Sequence, residues 1–142
     1  MIVIALLILV NLWILRQTAE PQRLIEVKEK YRILRDHLHD TNHEKFQMLK
    51  RCIPITGYLR MNGAVGYNTN KGGEIAICLD GEVNEIFHVL IHELAHCTVK
   101  EYSHSQQFWD NYIELRNICV ELGIYQQIPN KTKFCGQHIQ DK

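Results

Sequence analysis

The sequence predicts an α+β fold in which an apolar N-terminal helix precedes a domain built from a small antiparallel sheet packed on one central helix. Three observations predict it. The first 15 residues, MIVIALLILVNLWIL, carry no charge and are almost wholly apolar. Residues 64–79 alternate like two short strands around the turn Asn70-Lys71-Gly72-Gly73. Residues 85–100 contain neither Gly nor Pro and include His92-Glu93-Leu94-Ala95-His96, which reads as one long helix.

The chain has 142 residues, and the part beyond the apolar stretch is long enough for one modest core and one domain. The sequence divides into an apolar helix at 1–17, a helical linker or N-terminal part of the soluble domain at 18–50, and the main domain at 51–142. Lys plus Arg and Asp plus Glu balance at 16 each. The balance hides an asymmetry: residues 16–60 hold ten basic and six acidic side chains, and residues 61–142 hold six and ten. That basic excess is compatible with anionic lipid or nucleic acid but too dilute to establish either.

At 1.5 Å per residue the apolar stretch makes a helix of about 22 Å, short of a hydrocarbon core of roughly 30 Å. A span therefore requires local thinning of the bilayer, or continuation of the helix through Arg16 and Gln17 with Arg16 snorkelling. A membrane anchor is the preferred reading, with a cleaved secretory signal and a buried or interfacial helix as alternatives. No charged side chain precedes the apolar core, and Gln17-Thr18-Ala19 makes a poor cleavage site. Arg16, Arg23, Lys28, Lys30, Arg32 and Arg35 all follow it, which predicts a membrane-associated protein whose domain faces the cytoplasm. Cysteines at 52, 78, 97, 119 and 135 form no CxxC pair and are odd in number. Free thiols in a reducing compartment are the expectation, in keeping with that orientation.

Residues 20–50 read mainly as helix, with Leu24, Val27, Tyr31, Leu34 and Leu38 at spacings of three and four. His37, His39 and His43 read as a solvated helix end. Residues 52–56 and 58–61 give two short extended segments, residues 64–68 a strand, and residues 74–79 its return strand. Asp80 or Asn84 can cap the helix that follows. A last helix is expected from Ser103, with Gln106 at capping-box spacing and an apolar stripe of Phe108, Tyr112, Leu115, Cys119 and Leu122. Gly123 and Pro129 close it and lead to a short tail around Phe134, Cys135 and Gly136.

The chemistry concentrates at residues 92–96. Histidines four apart on a helix reach one metal ion from one face, and Glu93 beside them can approach a water on that ion. Zinc suits two imidazole nitrogens, acidifies its water and keeps a coordination position open. A shuffled chain of this composition contains the pattern with a probability of about 3%, so coincidence is a poor account. His88 lies one turn earlier and is expected to support or pack, since three successive turns do not converge on one ion. Cys97 points about 100° away from His96 and reads as a small buried side chain. The third ligand expected is His104, folded back by the turn through Lys100, Glu101 and Tyr102; Glu101, Asp110 and Glu114 are the alternatives.

His92-Glu-Leu-Ala-His96 followed by His104-Ser-Gln-Gln-Phe108-Trp109 resembles the small zincin families called SprT-like and WLM domains and the related YgjP-like metallopeptidases. Lys71-Gly-Gly-Glu-Ile-Ala-Ile-Cys-Leu79 is similar to the strand before the catalytic helix in such domains, and the tail at Phe134-Cys135-Gly136 to their closing segment. The resemblance covers roughly residues 55–137. It implies a minimal zincin-like domain, zinc as cofactor with ligands His92, His96 and His104, and Glu93 as general base. Seven residues separate His96 from His104, where many YgjP-like members have five.

The function expected is a zinc metallopeptidase that hydrolyses peptide bonds with a zinc-activated water and Glu93 as base. Its partners are then a polypeptide substrate and a membrane, through the N-terminal helix. The strand at 75–79 is a candidate to align an extended substrate, and Tyr102, Tyr125 and His138 are candidates to stabilise the oxyanion. Two alternatives stand beside it: a membrane-associated zinc-binding scaffold without catalysis, and a DNA-associated repair protease, a role known for some SprT-like and WLM relatives. No distinct DNA-reading motif is visible, so nucleic acid is the weakest partner.

Overall fold

A computed structural model of the protein describes residues 1–61 and 63–142. Its elements run in the order α1 (Ile2–Thr18), α2 (Gln22–Asp40), a single 3-10 turn at Gln47–Leu49, β1 (Ile55–Tyr58), β2 (Gly66–Thr69), β3 (Glu74–Cys78), α3 (Val83–His96), α4 (Gln106–Glu121), β4 (Thr132–Phe134) and β5 (Gln137–Ile139). The α+β class is as expected, with an apolar helix ahead of a small sheet packed on helices.

The sheet is mixed, not antiparallel throughout. Its order is β1-β3-β2. β2 and β3 form the expected antiparallel hairpin, whereas β1 lies parallel to β3 with Ile55 opposite Ile75 and Tyr58 opposite Cys78. The two extended segments expected at 52–56 and 58–61 are one strand, which runs through Gly57. Ile75, Ala76, Ile77 and Cys78 are consecutive and all buried, so β3 is covered on both faces as a central strand must be.

The helical segment expected at 20–50 ends at Asp40. Asn42 takes a left-handed φ of 46°, which turns the chain and lets Phe46 and Leu49 plug the core separately. Leu24, Val27, Tyr31, Leu34 and Leu38 form the buried face of α2, as their spacing predicts. α3 is buried nearly all round, at Ile86, Phe87, Val89, Leu90, Ile91, Leu94 and Ala95, because α2, α4, β2 and β3 surround it.

The caps differ from those expected. Neither Asp80 nor Asn84 starts α3: Glu82 does, in a reciprocal capping box with Glu85. Its carboxylate accepts from the N3 backbone and also suits the positive end of the helix dipole. α3 stops at His96 rather than continuing to Lys100. α4 is capped two residues later than expected, with Ser105 as N-cap accepting from the Phe108 backbone N–H at 3.2 Å.

No buried residue belongs to α1, whose apolar side chains from Ile2 to Leu15 project outward. No single helix among the described residues is long and apolar enough to cross a membrane; α1 and α2 pass that test only as a pair bent by 49°.

Free thiols were the expectation for all five cysteines, and two of them overturn it. Cys78, at the end of β3, is disulfide-bonded to Cys135 across 57 residues of sequence, while Cys52, Cys97 and Cys119 are free. A type I′-like turn brings Cys135 there, with left-handed φ values of 48° at Cys135 and 75° at Gly136 joining β4 to β5. The bond removes the free-thiol argument for a cytoplasmic domain and leaves only the basic residues after α1. A closed loop of this length restricts the unfolded chain, so Cys135→Ser is expected to cost about 4 kcal/mol of stability. Urea unfolding of the two proteins under non-reducing conditions measures the difference, and it should vanish in excess reductant.

Candidate metal centre

The site begins with helix geometry. His92 and His96 stand one turn apart on α3, and the chain reverses through residues 97–105 to return His104 to the same place. His104 Nε2 lies 3.0 Å from His92 Nε2 and 3.1 Å from His96 Nε2. These three residues are the one His, Cys, Asp or Glu group among the described residues whose ligand atoms converge, all within 4.8 Å of one another. Tetrahedral zinc holds imidazole nitrogens at about 2.0–2.1 Å, which sets them roughly 3.3 Å apart. The observed spacing of His104 to the other two is close to that, so the three nitrogens suit a single cation.

Phe108 and Trp109, at the start of α4, form an aromatic wall beside the triad. The Phe108 ring lies 4.4 Å from that of His96 and 4.8 Å from that of His104, and Trp109 lies 5.4 Å from His104. Burial, reinforced by the neighbouring histidines, pushes His92 down to about 3; burial, with His104 and Lys71 nearby, pushes His96 down to about 4. Both rings are therefore neutral at pH 7, the form that ligates metal.

Glu93 is 8% exposed, and burial raises its carboxyl to about 7. Gly66 on β2 makes this placement possible. A Cβ at residue 66 would stand 2.7 Å from Val89 Cγ1 and 3.5 Å from Glu93 Oε1, so only glycine lets the strand close on α3 beside that carboxylate. Asn68, two residues on, donates from Nδ2 to the Glu93 carbonyl at 3.0 Å and locks strand to helix.

Gly66 and Glu93 line two neighbouring cavities, one of about 370 Å³ reaching His88, Trp109 and His138, the other of about 200 Å³ reaching Lys71, His96 and Tyr102. Together they make a groove along β2 that passes over Glu93.

The structure brings His92, Glu93, His96 and His104 together. It does not bring the alternative third ligands: Glu101 accepts from Ser105, Asp110 from Gln106, and Glu114 from Lys45. Among the oxyanion candidates, Tyr102 and His138 line the groove, whereas Tyr125 is buried away from it. Cys97 is half-buried and takes a hydrogen bond from Asn68 Nδ2 at 3.0 Å. His43, expected at a solvated helix end, instead stacks on Phe46 with ring centroids 4.8 Å apart.

A polar cluster that no local pattern announces lies behind the site. Tyr112 and Tyr125 donate their hydroxyl protons to Asp141, and the Ile128 N–H donates to its Oδ2 at 2.7 Å. Burial alone would raise Asp141, but the bonds from His88, Tyr112, Tyr125 and Ile128 outweigh it and hold the carboxyl below its ordinary range. His88 Nδ1 lies 2.9 Å from the Tyr125 oxygen. Since that hydroxyl has spent its proton on Asp141, Nδ1 is the donor in this contact.

A family model described as the WLM domain matches residues 58–141, more than half of the chain and the whole of the candidate centre. The chain belongs to the WLM-domain family. The domain's fold is that of a zinc metallopeptidase. The WLM match begins at Tyr58 and excludes α1 and α2. Uncharacterized protein R325 of Acanthamoeba polyphaga mimivirus is 32% identical over a segment that covers 53% of this chain and 43% of that one. This chain thus spans less than half the length of that curated relative. No solved structure matches this chain.

The depressed histidines give a pH signature. Such a group contributes stability that is complete above its ordinary value of 6.5 and is lost as pH falls toward the folded values, because the unfolded chain takes protons that native His92 and His96 refuse. Glu93 acts in the opposite sense between 7 and 4.5, so single variants separate the contributions. In the metal-free protein, His92→Gln is expected to flatten the loss of denaturant midpoint between pH 6.5 and 4. Parallel midpoint curves would contradict the assignment.

Proposed function

We propose that the protein is a zinc-dependent metallopeptidase in which His92, His96 and His104 hold the metal and Glu93 is the general base. The observation that carries this reading is the convergence of three imidazoles beside a buried carboxylate, within a domain of the WLM family. Three protein ligands are the number that leaves zinc an open position, whereas a purely structural site closes with four. When bound, zinc supplies Lewis-acid chemistry, acidifying a water and polarising a carbonyl oxygen.

The chain's own residues do the rest. Glu93, raised toward neutrality by burial, takes the proton from the attacking water and returns it to the leaving amine, as a group with a value near the working pH does best.

The substrate is an extended polypeptide. The strand at 75–79 is not its docking edge, because β3 is paired on both sides. β2 is the free edge beside Glu93, and its outward N–H and C=O groups suit strand addition along the groove. His138 and Tyr102, at opposite ends of that groove, are the candidates to contact the scissile carbonyl from either side. The apolar, outward-facing α1 is proposed to associate with lipid.

Zinc content and cleavage of an unbiased peptide library, compared between wild type and Glu93→Gln, test this function. Equal zinc with cleavage reduced by about 10²–10⁴-fold is the expected result. Equal cleavage by both proteins would remove Glu93 from the reaction.

A further inference from the structure

The last four carbonyls of a helix lack intrahelical partners, and at the metal-bearing end of α3 every one of them is satisfied. The Glu93 carbonyl accepts from Asn68, the Leu94 carbonyl from the Cys97 N–H, and the Ala95 carbonyl from the Thr98 N–H. The His96 carbonyl accepts from the side chain of Lys71, at 3.1 Å. Two of the four partners thus come from the β2–β3 hairpin and not from the helix's own continuation.

Lys71 does more than cap. Its Nζ also donates to the carbonyls of Val99 at 2.8 Å and Glu101 at 2.6 Å, and lies 4.4 Å from the centroid of the Tyr102 ring. An ammonium has three protons, and all three are spent on the turn that links His96 to His104. The charge sits at the negative end of the helix dipole, where a cation is favoured. The hairpin is bent to make this reach. Asn70, Lys71 and Gly72 are consecutive and all left-handed, with φ of 52°, 49° and 102°, a conformation that costs energy at the two non-glycine positions.

We propose that Lys71 is a positioning residue for the third metal ligand: by gathering the carbonyls of 96, 99 and 101 on one ammonium, it shapes the turn that returns His104 to His92 and His96. The inference rests on the metal reading above. Ser105 with Glu101, within the reversal, and Asn111 of α4 with Thr98 brace the same turn but do not tie it to the sheet. Lys71 couples the hairpin tip to the metal site, and because the same hairpin carries β2, ligand and substrate edge are held by one element.

The test is a double-mutant cycle on the full chain, reading zinc affinity by chelator competition. Lys71→Met is expected to weaken zinc by about 10–100-fold, as loss of an outer partner of a metal ligand does, and Lys71→Arg to recover part of that loss. In a His104→Ala background, Lys71→Met should add little, because the ligand it positions is already gone. The visible spectrum of the cobalt-substituted Lys71→Met protein should move toward that of His104→Ala. Wild-type affinity in Lys71→Met, or an equal loss in both backgrounds, would overturn the proposal. Amide exchange on the metal-free proteins separates the two readings. If wild type takes up no zinc, the metal assignment fails, and faster exchange at 97–104 in Lys71→Met with α3 unchanged would still uphold the role of Lys71 in the turn. Unchanged exchange there would end it.

Discussion

Three imidazole nitrogens must meet at a point, and the rest of the molecule can be understood as what that requirement demands. Two of them come free with helix periodicity, since residues four apart share a face. The third has to cross a chain reversal, and a reversal left to itself is the most mobile part of a domain. The structure answers by burying α3 almost completely and by clasping its last turn and the reversal with polar groups from a strand hairpin. The apolar wall of Phe108 and Trp109 then fixes the rings that the backbone has brought in.

The same arrangement sets the electrostatics. Burial that costs a charged group several kcal/mol keeps His92 and His96 neutral and leaves Glu93 poised near pH 7. One physical cause thereby sets the charge state of both histidines and of the carboxyl between them. Gly66 is the steric counterpart: the absence of a side chain there lets the free sheet edge approach the carboxylate, so the groove and the base belong to one contact. Behind them, Asp141 gathers Tyr112, Tyr125 and the Ile128 N–H, with His88 alongside, in a bonded polar network of the kind that a buried site tolerates.

Much of this was legible in the residues. The amphipathic period of α2, the hairpin around Asn70 and Gly72, the helix carrying His92 and His96 and the return of His104 all follow from local patterns. What escaped was whatever depended on distant partners. Parallel pairing of β1 with β3 leaves no local trace, because a strand reads the same beside either neighbour. The disulfide joins residues 78 and 135, and an odd cysteine count without CxxC spacing gives no hint of it. Tyr112 looked like one more apolar step on α4, and Asp141 like a tail residue; only the fold shows that they meet. Lys71 appeared as a turn residue, and its three carbonyl partners lie 25 to 30 positions away.

X-ray absorption at the zinc edge of the purified, metal-loaded protein tests the central claim most directly. Three histidine nitrogens and one light solvent atom at about 2.0–2.1 Å are predicted, with one nitrogen lost in His104→Ala. A sulfur ligand, a shell closed by four protein groups, or a spectrum indifferent to His104 would contradict it.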